Sequence, residues 1–293
     1  MATTTNDGTE LYFETFGSAD DPTVLLVNGL GSQMINWEPD FCRRFVDRGY
    51  QVVVYDNRDV GLSGKTPGTP PNVLALMDNF RSGTPATGTP YTLTDMAEDG
   101  LAVLDAVGAE RAHIAGMSMG GMIVQRMALH RPDRVASMTS IMSTTGAPGV
   151  GAATSEAAAT LVTPAPEDRE GYIAHTMESR RIIDGSHHSP DYWRQHAGRT
   201  YDRMFHPIGP AFQIAAIAAD GNRTEELASM TVPSLVIHGR MDPLITLSGG
   251  EATAAAIPDA ELLVIDEMGH DLPPEIWDEV VAAMIGLFDR AGG

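Results

Sequence analysis

The sequence predicts an α/β protein: a mostly parallel sheet with helices on both faces and a helical cap inserted after its midpoint. Three observations carry that expectation. Short β-rich runs alternate with helical patterns along most of the chain. Many of those runs are continuously apolar, as strands covered on both faces must be. Between residues 146 and 226 the alternation stops, and ~80 residues are too many for an ordinary loop between two core strands.

Taken in order, residues 10–16 and 23–27 read as strands. They flank the turn-like Gly17-Ser18-Ala19-Asp20-Asp21-Pro22, which suggests an opening antiparallel pair. Buried strands are then expected at 51–55, 113–115, 135–142, 234–238 and 261–265. Thr92 and Asp95 can form a capping box for a helix on which Ala97, Leu101 and Leu104 recur at spacings of four and three, with Gly108 closing it. A second helix should run over 120–130, stopped by Arg131-Pro132. A third should follow Pro273-Pro274, with Ile276, Val280, Met284 and Leu287 as its core face. The irregular middle is rich in Ala, Gly, Thr and Pro up to Pro166, then polar with scattered aromatics. It is expected to form a helical cap (146–226) over one edge of a sheet core made of 1–145 and 227–293.

Composition narrows the function. The 293 residues allow one large domain with an insertion or two small ones, and 43% hydrophobic residues exclude a dominantly disordered chain. Nineteen basic against 39 acidic residues leave a net charge of −20, which argues against nucleic acid and anionic membranes as partners. Lys65 is the lone lysine, so Schiff-base chemistry would rest on that residue alone. Cys42 is the lone cysteine, which rules out an intramolecular disulfide and a thiolate metal cluster. The opening Met-Ala-Thr-Thr-Thr-Asn-Asp lacks a basic and apolar leader, and no apolar run approaches the ~18–20 residues of a membrane span. A soluble cytoplasmic protein is expected.

The chemistry gathers around residues 113–122, where a strand leads through Gly116-Met117-Ser118-Met119-Gly120 into a helix. A serine on so sharp a turn is pushed out above the sheet, and its flanking residues must be small because strand and helix nearly touch there. The helix N-terminus then aims free amides at the point where a negative oxygen would develop. A serine hydroxyl needs a base, and the base needs an orienting acid. Asp242 follows one strand and His270 the next, so the order Ser118, Asp242, His270 suits three successive loops converging at the sheet top. Asp266 is an alternative acid, but it lies on the same connection as His270.

Other features carry less chemistry. Gly64-Lys65-Thr66 resembles the end of a phosphate loop, yet Asp59 stands where its first glycine is required. Gly29-Leu30-Gly31 lacks a third glycine at Met34, which excludes a dinucleotide fingerprint. Asn28-Gly29-Leu30-Gly31 instead suits a loop that brings a backbone amide to a carbonyl oxygen. His113 and His238 lie within strands, as core histidines do, and the adjacent His187-His188 project in different directions, unlike metal ligands.

With these residues in hand, the chain resembles the α/β-hydrolase superfamily over nearly its whole length. The likeness rests on residues 28–31, on Tyr55-Asp-Asn-Arg-Asp-Val-Gly-Leu-Ser63, on 116–120, on Gly239-Arg-Met-Asp242-Pro243 and on Gly269-His270. Within the superfamily it is most similar to small bacterial serine esterases of the aclacinomycin methylesterase type. Relatives often carry His-Gly where this chain has Asn28-Gly29, and Arg-Gly where it has Arg58-Asp59. Serine at the elbow argues against haloalkane dehalogenases and most epoxide hydrolases, whose elbow carries aspartate.

The resemblance implies a Ser118–His270–Asp242 triad and an oxyanion hole from the amides of Leu30 and Met119. It further implies a small-molecule ester as substrate and neither metal nor organic cofactor. Asn28 and Trp193 are the expected substrate contacts, with Tyr201, Met204 and Phe212 as further lining residues. The same triad would serve a lactonase, a carbon–carbon bond hydrolase or a cofactor-free perhydrolase. A prolyl aminopeptidase would need an acidic clamp from Glu167, Glu170 or Glu178, and a noncatalytic relative would keep the pocket alone.

Overall fold

The computed structural model describes residues 2–292. Among them, strands β1 (Ala2–Asn6), β2 (Thr9–Phe16), β3 (Thr23–Val27), β4 (Gln51–Tyr55), β5 (Ala112–Met117), β6 (Val135–Ile141), β7 (Ser234–Gly239) and β8 (Glu261–Ile265) form one sheet. Their spatial order is β1-β2-β4-β3-β5-β6-β7-β8. β2 pairs antiparallel with β1 and β4, and every pairing from β4 through β8 is parallel.

Helices α1 (Pro39–Val46), α2 (Val73–Ser82), α3 (Leu93–Ala106) and α4 (Met119–His130) precede β6. Between β6 and β7 run α5 (Ser155–Val162), α6 (Arg169–Ile183), α7 (Pro190–Arg203), α8 (Gly209–Asp220) and the short α9 (Thr224–Leu227). α10 (Ser248–Ala256) and α11 (Trp277–Arg290) complete the chain. No helix among the described residues is long and apolar enough to cross a membrane.

Strand alternation divides the core in two. Leu25 and Val27 of β3 and Val53 and Tyr55 of β4 face α3 and α4, where Leu101, Leu104, Ile123 and Met127 meet them. Val24, Leu26, Val52 and Val54 point the other way, toward Phe41 and Phe45 of α1 and Val280, Met284 and Phe288 of α11. The Thr92–Asp95 capping box starts α3 as expected. After Pro273, a single 3₁₀ turn (Pro274–Ile276) precedes α11, and Ile276, Val280, Met284 and Leu287 are all buried.

Two expectations fail instructively. β2 and β3 do not pair, because β4 lies between them. β3 is buried throughout and takes parallel neighbours on both sides, so its partner cannot be the preceding antiparallel strand. The hairpin is β1–β2, turned by Asp7 and Gly8 with φ of 43° and 76°, the paired positive φ values of a two-residue hairpin loop. β8 is not covered on both faces: only Ile265 is buried, since this strand ends the sheet with a single neighbour.

The segment between β6 and β7 lies across the carboxyl ends of the strands. Gln213 accepts from the Gly31 amide after β3 (2.8 Å), Pro243 after β7 accepts from Thr154 (2.9 Å), and Ile183 accepts from His270 after β8 (2.7 Å). Its two ends meet. The Arg223 amide donates to Thr145 O (2.9 Å), while the fully buried Arg223 guanidinium donates to Thr144 O (2.7 Å) and Gln125 Oε1 (2.9 Å) and pairs with Asp220.

Candidate active site

The turn from β5 into α4 explains its own sequence. Ser118 caps α4 with φ 55° and ψ −119°, a conformation that costs a non-glycine residue about 1–3 kcal/mol. Any side chain at Gly116 would run into the backbone of Gly120, and one at Gly120 into the carbonyl of Val27. The two glycines therefore let strand, helix and the β3 loop converge beneath the serine. Ser118 O is held by the amides of Gly121 (2.9 Å) and Met122 (3.3 Å) and by the Ser143 hydroxyl (2.8 Å). Met119 is the first residue of α4, so its amide has no intrahelical acceptor.

The loop after β3 lies against this turn. A methyl at Gly29 would stand 3.2 Å from Ser118 Cβ and 3.7 Å from Ser118 Oγ, so the 28–31 backbone passes directly beside the hydroxyl. Asn57 Nδ2 supports it from behind by donating to Asn28 O (3.0 Å).

Two further loops bring the imidazole and a carboxylate together. His270 Nδ1 lies 2.7 Å from Asp242 Oδ2, with both residues buried. The other Asp242 oxygen accepts from the amides of Leu244 (2.8 Å) and Ile245 (2.9 Å), which fixes the carboxylate's rotation. With an ionised carboxylate as acceptor, Nδ1 carries the proton and Nε2 keeps its lone pair. Asp266 is elsewhere: exposed, and paired with Arg240 (2.6 Å). Beneath Asp242 sits His238, whose Nε2–H donates to Ile245 O (2.8 Å) and whose protonation is disfavoured by burial. Beside His270, burial and the nearby Asp184 carboxylate push the Asp271 carboxyl up to about 6.

Ser118 and His270 both line a cavity of about 1250 Å³, together with Gly29, Leu30, Met119 and Trp193. Several expected residues do not reach it. Asn28 is fully buried behind the loop, away from the cavity wall, so it is no substrate contact. Phe212 is core, Met204 faces outward, and Tyr201 donates from the surface to Glu167 O (2.8 Å). Glu167, Glu170 and Glu178 lie off the cavity wall, and Glu178 pairs with Arg181 (2.8 Å). His187 and His188 diverge, to Glu267 and Asp184 respectively, each at 2.8 Å.

Sequence reasoning missed much of the wall. Met117, Met122 and Met142 line it from the core, and Leu74, Met77 and Phe80 of α2 from the side. The signal available in the sequence was α2 itself: Asn72 as cap, apolar residues at helical spacing, and Gly83 with φ 68° as its stop.

Known proteins agree with this architecture. Residues 22–275 match the family model described as the alpha/beta hydrolase fold. Over 96% of its length the chain is 28% identical to rhodomycin D methylesterase of Streptomyces peucetius, covering 95% of that protein. It is 26% identical to a 3-oxoadipate enol-lactonase of Acinetobacter baylyi, with 98% of this chain and 97% of that one aligned. Among solved structures, a meta-cleavage product hydrolase from Pseudomonas fluorescens superposes with a TM-score of 0.76 at 19% identity, covering 100% of this chain and 98% of the other. A serine on a strained strand-to-helix turn, set in this sheet order and matched over most of its length, means that the chain belongs to the alpha/beta hydrolase fold family.

Proposed function

We propose that the protein hydrolyses carboxylic esters through an acyl-enzyme on Ser118. One observation carries this reading: the strained Ser118 shares a cavity with His270, whose Nδ1 is 2.7 Å from a buried, doubly hydrogen-bonded Asp242. His270 Nε2 takes the serine proton as Oγ attacks the ester carbon. The amides of Leu30 and Met119 hold the resulting oxyanion, each donor of this type contributing about 3–4 kcal/mol of transition-state stabilisation. The imidazolium then protonates the departing alcohol. Water, deprotonated by the same nitrogen, attacks the acyl carbon and releases the acid. Asp242 holds the tautomer throughout.

Residues 146–226 act in this reading as a cap over a core of 1–145 and 227–293. The cap and α2 give the cavity its size, which exceeds the ~300–1,000 Å³ usual for small-molecule sites. Its wall of Met77, Met117, Met119, Met122 and Met142 suits a bulky, apolar substrate, because thioethers adapt to irregular shapes and pack well on rings. The methylesterase named above is consistent with an ester. The likeness to the enol-lactonase supports a cyclic ester as a second candidate for the same chemistry.

The test is turnover of p-nitrophenyl esters and of lactones by wild type and Ser118→Ala, with fluorophosphonate labelling mapped by peptide analysis. Labelling at Ser118 and loss of turnover in the alanine variant are expected. Retained turnover would refute the assignment. Preference for lactones over open esters would redirect it to lactone opening.

A further inference from the structure

We propose that the end of α6 and the Asp271 carboxylate are positioning elements for His270, so that the insertion helps to hold the base as well as to wall the cavity. The proposal rests on the reading of His270 as the proton carrier.

The contact is backbone against backbone. The His270 amide donates to Ile183 O (2.7 Å), the carbonyl that ends α6, and the Ser186 amide donates to Glu267 O (2.9 Å). Asp271 Oδ1 joins the two segments by accepting from both Gly185 N (3.1 Å) and Gly269 N (3.0 Å). Arg180 of α6 adds a bond from Nη1 to His270 O (3.3 Å) while its guanidinium lies 3.9 Å from the Trp193 ring centroid. The segments approach so closely that both must carry glycine. A methyl at Gly185 would meet Glu267 O and Gly269 N, and one at Gly269 would lie 2.5 Å from Asp184 C and 2.7 Å from Ile183 O.

The α6 end is itself anchored, since Asp184 Oδ2 accepts from Trp193 Nε1 of α7 and lies 2.8 Å from His188 Nδ1. The insertion therefore cannot lift here without carrying the imidazole. Displacing a proton carrier by ~1 Å costs about 100-fold in rate. Asp271 touches no reacting atom in the proposed mechanism. It holds the backbone on either side of the gap.

Three variants test this: Gly185→Ala, Asp271→Ala and Asp271→Asn, the last keeping an oxygen for the two amides. Turnover of p-nitrophenyl butyrate is measured per fluorophosphonate-labelled serine at pH 8, with the pH dependence of kcat/KM and the urea midpoint. Gly185→Ala and Asp271→Ala should lower kcat per labelled site by about 10- to 100-fold, leave KM within about threefold, and move the acid limb of kcat/KM to lower pH as the imidazolium loses Asp242. Asp271→Asn should restore kcat to within about threefold of wild type. If only the urea midpoint falls, with kcat per site and the acid limb unmoved, the contact is merely structural and the proposal is wrong. A rise in KM alone would make Asp271 a substrate contact and also overturn it. Should Gly185→Ala fail to fold, the Asp271 pair still decides, because neither change introduces a clash. Failure of the underlying reading shows separately, as wild type that is not labelled at Ser118.

Discussion

Replacing Asp242 by asparagine changes one atom type and should nearly abolish turnover. The side chain is isosteric, and its Oδ1 can still accept from Leu244 N (2.8 Å) and Ile245 N (2.9 Å). Those two amides decide the orientation. Rotating the asparagine to turn its oxygen toward His270 would press Nδ2 against two donors and leave them unsatisfied, at about 1–3 kcal/mol each. Nδ2 must therefore face His270 Nδ1 across the 2.7 Å contact. An amide N–H there demands an unprotonated Nδ1, which shifts the imidazole proton to Nε2, the nitrogen that must accept from Ser118. The wrong tautomer costs roughly 10⁴-fold in kcat in the serine-hydrolase template, or about 5 kcal/mol of activation free energy. Steady-state hydrolysis of p-nitrophenyl butyrate at pH 8, corrected for folded protein by circular dichroism, reads it directly. Activity of Asp242→Asn within tenfold of wild type would show that Asp242 does not set the tautomer.

Ser118→Gly should abolish hydrolysis yet raise stability by about 1 kcal/mol, because φ 55° is free to glycine while the unfolded chain gains some entropy; urea midpoints check it. Asp271→Asn should stabilise the fold by up to about 3 kcal/mol at pH 8 and by nothing near pH 4. The sign follows from a folded carboxyl pushed up from 3.8 to about 6: the native state binds the extra proton between those values, so wild-type stability falls as pH rises through that window. Equal midpoint differences at both pH values would contradict it. Met77→Ala should lower kcat/KM for a naphthoate ester about tenfold through lost apolar contact, while that for an acetate ester stays within about threefold. Equal losses for both would remove α2 from substrate selection.

What could be read from the sequence was what backbone geometry enforces. Gly116 and Gly120 are there because nothing larger fits, and the Thr92–Asp95 box because a helix start leaves amides unpaired. Asp242 and His270 could be placed by their loops, since each follows a strand whose apolar run is unmistakable in the sequence. What escaped was governed by partners distant in the chain. The β2–β3 pairing failed because adjacency in sequence outweighed the Asp7-Gly8 signal three residues before β2's core. α2 was overlooked because Leu74 and Met77 face a cavity and its remaining large apolar residues, Val73, Leu76 and Phe80, pack only into a small cluster with the distant α8. Asn28 was misplaced because the sequence shows that the loop is near the hydroxyl but not which side chain turns inward. Within the insertion, helix order was illegible because its contacts to Gly31, Gln33 and His270 lie far away along the chain.

Thr145 and Arg223, joined by a backbone hydrogen bond, make the whole excursion between β6 and β7 leave and come home through one doorway. A detour anchored so narrowly can lengthen, shorten or be traded for another without respacing a single strand, which is a ready way to acquire new specificities. Here the freedom is mortgaged, because part of the detour backs the histidine loop. A graft that reproduces only the doorway would yield a sound open sheet with its helices, whose His270 loop hangs loose. Retargeting this molecule means transplanting walls while leaving the last turn of α6 in place.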